Sequence, residues 1–150
     1  MKKNEDNILY KIEEEHKIEE EFYYKGFKCI VLLISFTKKE EKLLRGMEFK
    51  INTKWRCGYV GVGKKHILYK KNYLDLEQKG YDFKIHGGLT FSNFGGKILP
   101  KLPKEYWYFG LDFNHSNDKT SFWTFKKVKN QVKKLARGLQ IDSLILQNLK

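Results

Sequence analysis

The clearest pattern along the chain is a pair of apolar runs on either side of a two-residue break. Residues 22–24 and 27–34 flank Lys25-Gly26, and glycine supplies the positive φ that a tight turn between antiparallel strands requires. The pattern predicts a β-hairpin. Its second arm is a continuous β-branched and aliphatic run, which is typical of a central strand covered on both faces.

The highly charged N-terminal segment, residues 1–21, allows two interpretations. In the first it forms a short amphipathic helix, because apolar residues recur at three-to-four spacing. That helix would place on one face Ile8, Leu9, Ile12 and His16. In the second, residues 18–24 already form an edge strand whose glutamates face water and discourage pairing with another chain. Both interpretations remain open at this stage.

Three more stretches predict strands. Residues 55–62 mix aromatic and β-branched side chains, and the glycines within them mark a bulge or a close approach to the backbone. Residues 81–91 predict a strand that ends at His86-Gly87-Gly88, and residues 106–113 predict an aromatic-rich strand. Residues 93–104, which contain two Gly and two Pro, predict a loop.

The C-terminal part has the strongest helical periodicity, over residues 121–138, with lysines on the outer side. Its apolar stripe consists of Phe122, Phe125, Val128, Val132 and Leu135. Gly138 is expected to end the helix, and the apolar tail at residues 141–149 to pack on the sheet or on a second copy.

Residues 37–52 begin with a potential Thr cap and an acidic first turn, and predict a short helical excursion.

These elements predict an α+β fold. We expect a single domain over residues 1–150, with a mainly antiparallel sheet of about four to five strands packed by the C-terminal amphipathic helix. A chain of 150 residues is the usual size of one such domain.

The charge of the chain favours a phosphate-bearing partner. Lys and Arg number 30 against 18 Asp and Glu, a net charge of +12, whose field attracts phosphate groups of every kind. Almost all the cations are Lys; Arg, the usual reader of base edges, occurs at positions 45, 56 and 137. Sequence-specific DNA recognition is therefore disfavoured, although nucleic acid remains an alternative partner.

The two cysteines and the absence of long apolar runs indicate a cytoplasmic protein with no membrane partner. Cys29 and Cys57 lie in separate apolar runs without metal-ligand spacing, which favours buried free thiols and a reducing compartment. No apolar region follows the first polar residues, so no signal peptide is expected. The most apolar run, residues 29–36, is too short to span a bilayer.

Candidate chemistry gathers at two predicted strand ends. Asp112 and His115 are three residues apart with Asp118 on the same turn, and His86 ends a neighbouring strand. Such clusters are usually hydrogen-bonded networks in which a carboxylate orients an imidazole. The less favoured alternative is a divalent cation such as Zn²⁺ bound by these four residues. No other cofactor is expected. In an enzyme, His86 or His115 would act as general acid or base, with Asp112 fixing the tautomer.

Other residues extend this cluster into a candidate ligand site. Gly87 and Gly88 would expose backbone amides to an anion, and Arg56 needs a carboxylate or phosphate partner, with Asp112 the obvious internal candidate. Most aromatic side chains are assigned to the core rather than to stacking on a base. The full candidate ligand-binding set is Arg56, Lys65, His66, Tyr69, His86, Gly87, Gly88, Thr90, Asp112, His115 and Asp118.

Three blocks of sequence resemble a family of small uncharacterised proteins from phages and mobile elements. The blocks are RCGYVGVGKKHILY, IHGGLTFS and YWYFGLDFNHSND, followed by the amphipathic helix, and the resemblance covers roughly residues 23–139. Relative to the family pattern, residues 37–52 look like an insertion, and this chain departs at Lys65, Ile67, Asn114 and Asn117. The family residues left in place are His66, Tyr69, His86, Asp112, His115 and Asp118. The resemblance implies the cytosol of an infected bacterium and implies no mechanism.

Three functions follow as hypotheses. The first is a phage-type accessory protein, conceivably acting against host defence, that binds a small nucleotide-derived ligand or signal. The second is a hydrolase or phosphodiesterase that acts on the same kind of ligand through His86, His115 and Asp112. The third is a basic adaptor for nucleic acid or a protein partner that uses the lysine-rich helix, and a homo-oligomer is compatible with each of them.

Overall fold

A computed structural model describes residues 14–37, 42, 53–115 and 117–148, the last eight of them by their backbone alone. Five strands form one antiparallel sheet in the order β1-β2-β3-β5-β4, and a long C-terminal helix packs on it. In chain order the elements are β1 (Glu14–Tyr24), β2 (Phe27–Phe36), β3 (Lys54–Val62), α1 (Tyr73–Gln78), β4 (Phe91–Phe94), β5 (Trp107–Asp112) and α2 (Phe125–Asn148). The α+β prediction is confirmed.

The predicted hairpin is present as β1 and β2. Lys25 and Gly26 both have positive φ, 54° and 82°, as a two-residue turn of the mirror-image type requires. β1 is an edge strand that begins at Glu14, so the strand interpretation holds for the N-terminal segment and the helical one is wrong at His16. Residues 1–13 lie outside the described residues, as does nearly all of the predicted excursion at 37–52.

The second arm of the hairpin is a central strand, as predicted. β2 lies between β1 and β3, and its residues Cys29 and Ile30 are fully buried on opposite faces of the sheet. One face packs against α2 through a cluster that includes Val31, Val60, Phe109, Leu111, Val128, Val132 and Leu135. The other face buries Ile30, Leu32, Trp55, Tyr59 and Tyr108. Both faces of the sheet are therefore apolar.

Glycines allow α2 to lie close to its neighbours. A Cβ at Gly58 in β3 would collide with the side chain of Val132, so the predicted close approach is made by the helix. Gly138 does not end the helix, contrary to the prediction. Instead it allows the ring of Phe83 to lie close to the backbone of α2. A Cβ there would lie 2.7 Å from the ring of Phe83, and α2 continues to Asn148.

The start of α2 also differs from the prediction. The helix begins at Phe125 rather than at position 121, and Thr124 precedes it with its hydroxyl 3.4 Å from the amide of Lys127. Phe122 consequently lies in a turn outside the helix, and 55% of its surface is exposed, so its assignment to the apolar stripe is wrong.

Residues 81–90 do not form the predicted strand. Lys84, Gly87 and Gly88 have positive φ, which is incompatible with an extended strand. The amide of Gly88 donates to the carbonyl of Ile85 and closes a tight turn around His86 and Gly87. The strand in this region is β4, which takes the first two residues of the predicted 93–104 loop and pairs with β5 at the sheet edge.

Cys29 and Cys57 are free and buried, as predicted. Burial raises the pKa of each thiol to about 12. In the part of the chain that the structure describes, no helix has both the length and the apolar character needed to cross a membrane.

Candidate functional site

The candidate site is centred on Asp118, a buried carboxylate in the turn that follows β5. Its Oδ1 accepts a hydrogen bond from Nε2 of His86 at 2.7 Å, and its Oδ2 accepts from the backbone amide of His115 at 2.9 Å. The Asp118 amide in turn donates to the carbonyl of His115 at 2.8 Å. One carboxylate thus fixes both the ring of His86 and the loop that carries His115.

The pKa of Asp118 lies below its ordinary value. Burial of the side chain acts in the opposite direction and raises the pKa. The hydrogen bonds from His86 and from the His115 backbone, together with the two imidazoles, outweigh that effect. Asp118 is therefore an anion at neutral pH, and Nε2 of His86 must be the donor of the 2.7 Å bond.

His115 has its own carboxylate partner. Its Nε2 lies 3.5 Å from Oδ1 of Asp112, the last residue of β5, and the same oxygen accepts the amide of Asn114 at 3.1 Å. Gly87 makes room for this ring, because a Cβ at position 87 would lie 2.5 Å from Nε2 of His115. The predicted pairing of Asp112 with a histidine is present, although the tightly held pair is His86 with Asp118.

The two imidazoles are neighbours on the surface. Their ring centroids are 6.0 Å apart, and their side chains are 35% and 40% exposed for His86 and His115 respectively. His86 lies parallel to Phe113 at 5.7 Å and against Trp123 at 4.4 Å, and its backbone amide donates to Oε1 of Gln131 on α2. Aromatic rings and the helix therefore hold the His86 turn in place.

This geometry can carry acid–base chemistry. In both histidines Nε2 faces a carboxylate, and the structure gives Nδ1 of neither ring a hydrogen bond within the described residues. A histidine whose N–H is taken by a carboxylate presents the other nitrogen as a lone pair when neutral and as a donor when protonated. Two such nitrogens at the surface can act as base and acid, or as two donors to an anion.

Arg56 has a different partner from the one predicted. Its guanidinium makes a two-point contact with Glu19, Nε to Oε1 at 2.6 Å and Nη2 to Oε2 at 3.2 Å, instead of pairing with Asp112. An irregularity in the β1–β2 register between Ile18 and Glu20 leaves Glu19 outside the paired ladder. The remaining Nη1 donates to the carbonyl of Trp123 at 3.1 Å, so Arg56 fixes the backbone beside the site.

Three predicted ligand residues lie on the loop after β3, where two of them make structural contacts. His66 accepts the amide of Leu68 on Nδ1, and its Nε2 lies 3.1 Å from the carbonyl of Leu139 on α2. The hydroxyl of Tyr69 donates to the carbonyl of Glu105. Lys65, the third, is exposed to solvent.

The backbone amides predicted to hold an anion are partly used by the fold. Gly88 donates to Ile85 within its turn, and Thr90 donates to the carbonyl of Gly110 in β5. A cavity of about 220 Å³ lies on the Gly88 side of this turn, lined by residues that include Glu77, Tyr81 and Phe83. The two imidazoles do not line it.

Part of the lysine-rich face of α2, proposed for an adaptor, contacts β1. Lys129 contacts Glu20 at 2.5 Å, the Lys133 ammonium lies 5.4 Å from the ring of Tyr24, and Arg137 donates to the Tyr24 hydroxyl at 3.0 Å. Part of the basic charge therefore stabilises the contact between helix and strand.

The four candidate metal ligands form two separate pairs. Within the described ranges, no three His, Cys, Asp or Glu side chains come together in an arrangement that could hold a metal ion.

Trp123, Gln131 and Glu19 are parts of the site surroundings that sequence reasoning missed. Trp123 carried a signal, because it falls out of phase with the apolar stripe that was assigned to the helix from position 121. Gln131 and Glu19 carried none, since a polar residue on a helix or edge strand normally faces water.

The fold and site define an α+β protein with two imidazole–carboxylate pairs, whose rings are partly exposed, beyond the end of β5. Comparison with protein-family models, with curated proteins and with solved structures finds no match for this chain.

Proposed function

We propose that the protein binds a small phosphate-bearing, nucleotide-derived ligand at the surface formed by His86 and His115. The observation that carries this proposal is the pair of adjacent imidazoles, that of His86 hydrogen-bonded to Asp118 at 2.7 Å and that of His115 lying 3.5 Å from Asp112. When protonated, imidazoles donate charge-assisted hydrogen bonds to phosphate oxygens. The net charge of +12 attracts such ligands toward the protein.

A second candidate, hydrolysis of the same ligand, is favoured by the spacing of the two rings. With centroids 6.0 Å apart, one neutral imidazole can remove a proton from water or from a ribose hydroxyl while the other, protonated, donates to the leaving oxygen. His86 is the better held of the two, since its 2.7 Å bond to Asp118 fixes the ring and its tautomer.

The sequence resemblance supports a phage-type accessory role. A small protein that captures a nucleotide signal in the cytosol of an infected bacterium would act against the defence that uses the signal. Two free, buried thiols are consistent with a reducing compartment. The role requires tight retention of an intact ligand, whereas the enzymatic candidate requires its release in altered form.

The experiment is incubation with a panel of linear and cyclic nucleotides, separation of unbound compounds from the protein, heat denaturation of the protein, and mass spectrometry of both fractions. Intact ligand released from the protein on heating supports sequestration, and altered ligand in either fraction supports hydrolysis. We expect His86→Gln and His115→Gln each to reduce bound ligand roughly tenfold or more, the value of one charge-assisted hydrogen bond.

His16→Gln is the matched control, because His16 pairs with Glu14 on the edge strand and should leave binding unchanged. Absence of any bound or altered nucleotide with the wild-type protein would contradict both candidates.

A further inference from the structure

One exposed aromatic residue adjoins the imidazole pair. Among the described residues, the large apolar side chains exposed to solvent are Tyr23, Leu74 and Phe122. Phe122 is 55% exposed, and its ring centroid is 5.2 Å from that of Trp123, which in turn lies 4.4 Å from His86. Its exposed ring therefore continues the aromatic surface on which His86 rests.

The backbone holds Phe122 outward. The amides of Phe122 and Trp123 both donate to the carbonyl of Lys119, at 3.0 and 2.9 Å, and the carbonyl of Trp123 accepts from Arg56. The amide of Thr124 donates to the carbonyl of Phe122 immediately before α2 begins. The backbone of this segment is therefore fixed by hydrogen bonds, and the Phe122 ring that it carries is 55% exposed rather than packed in the core.

A cation accompanies the ring. The ammonium of Lys127, in the first turn of α2, lies 3.5 Å from the centroid of Phe122. The rings of Trp55, Tyr59 and Tyr108 are buried within the sheet, and Trp107 is half-buried with its Nε1 donating to the carbonyl of Lys71. Phe122 and Trp123 are thus the aromatic groups available beside the imidazoles in the described part of the chain.

We propose that Phe122, with Lys127 beside it, is the base-recognition part of the same site. This inference rests on the proposed function, because it takes the ligand phosphate to lie at His86 and His115. The base of the nucleotide stacks on the Phe122 ring, and Lys127 adds positive charge at the same rim. The site then selects nucleotides over phosphates that carry no aromatic base.

The test compares nucleoside monophosphates with ribose 5-phosphate. Titrations with AMP, GMP, CMP and UMP, and with ribose 5-phosphate, would be followed by NMR or calorimetry on the full chain. We expect at least one nucleotide to bind more tightly than ribose 5-phosphate. Phe122→Ala should weaken that nucleotide about tenfold, within the range for a base stacked on an aromatic ring, and leave ribose 5-phosphate unchanged.

The controls separate this inference from the proposed function. Phe122→Trp should restore nucleotide binding, and Leu74→Ala, which removes another exposed apolar side chain on α1, should have no effect. Equal binding of nucleotides and ribose 5-phosphate, with Phe122→Ala silent, would overturn the base-recognition role and leave the phosphate site standing. Failure of every compound to bind the wild-type protein would overturn the proposed function and this inference with it.

Discussion

Two regions of the molecule use histidine in opposite ways. His66, on the loop after β3, has both ring nitrogens committed to the backbone, one to the amide of Leu68 and one to the carbonyl of Leu139. His86 commits Nε2 to the carboxylate of Asp118, while Nδ1 has no hydrogen bond within the described residues. Both residues belong to the same predicted ligand set, yet their bonding differs completely.

The difference teaches how an imidazole can be assigned a role. A ring with two neutral backbone partners joins distant segments and has no nitrogen left for a ligand. A ring held by a carboxylate through one nitrogen keeps the other nitrogen for a ligand. We therefore assign His66 to the fold and His86, with His115, to the site.

The largest effect is expected from Asp118→Ala, which removes the acceptor of both His86 and the His115 amide. Hydrogen bonds to charged groups contribute roughly 1.5–3 kcal/mol each, so we expect a loss of about 3 kcal/mol in the free energy of unfolding, together with loss of ligand binding. Urea denaturation provides the measurement. Asp118→Asn, which retains an acceptor, should reduce the free energy of unfolding by a smaller amount. An unchanged urea midpoint for Asp118→Ala would show that this carboxylate does not stabilise the site.

His66→Ala should affect stability without affecting the ligand. It leaves a backbone donor and acceptor without their partner, at a cost of about 2 kcal/mol. His66→Asn should recover part of the loss, since an Asn side chain can accept from the amide two residues on, as His66 accepts from Leu68. The assignment of His66 to the fold would be contradicted if His66→Ala were as stable as wild type and lost ligand binding.

Gly87→Ala should displace His115. Its Cβ would lie 2.5 Å from Nε2 of that ring, and alanine is strained at the φ of 71°, so we expect a loss of about 1 kcal/mol and weaker ligand binding. Gly88→Ala is the matched control, because its φ is 73° but the atom nearest to its added Cβ, Oε1 of Glu77, lies at 3.7 Å. Histidine NMR signals should shift in the first variant alone; equal shifts in both would point to backbone strain as the cause.

Acid should weaken the Asp118 region. Because the pKa of Asp118 is lower in the folded protein than in the unfolded chain, this carboxylate contributes stability above its ordinary pKa. That contribution is lost as the pH falls through the folded pKa. The melting temperature of wild type should therefore approach that of Asp118→Asn only as the pH falls below 3.8, the ordinary pKa of the carboxyl group. A gap that stays constant with pH would contradict the assignment.

The smallest effect is expected from treating the native protein with a thiol reagent. With burial raising the pKa of Cys29 and Cys57 to about 12, neither should react with a thiol reagent at neutral pH until the protein unfolds. Ligand binding should be the same before and after such treatment. Rapid labelling of the native protein would show that the sheet opens more readily than its packing indicates.

Local sequence pattern determined much of the fold. The hairpin, β3 and β5 were predictable because apolar runs and turn residues act over a few positions, and the stripe on α2 because helical periodicity repeats along one segment. The same patterns placed Asp112, His115 and Asp118 at the end of β5, whereas the strand predicted to end at His86 is not formed. They also predicted that Cys29 and Cys57 are buried free thiols rather than members of the candidate site.

Only the tertiary structure decided which residues became partners. Gly138 reads as a helix stop, yet the ring of Phe83 requires a glycine inside α2. Arg56 pairs with Glu19 on a distant edge strand rather than with Asp112. His66 and His86 look alike in the sequence and are distinguished by Leu139 and Asp118. Sequence pattern reports the backbone preference and burial of each segment, whereas hydrogen-bond partners far apart in the chain meet only after the segments pack.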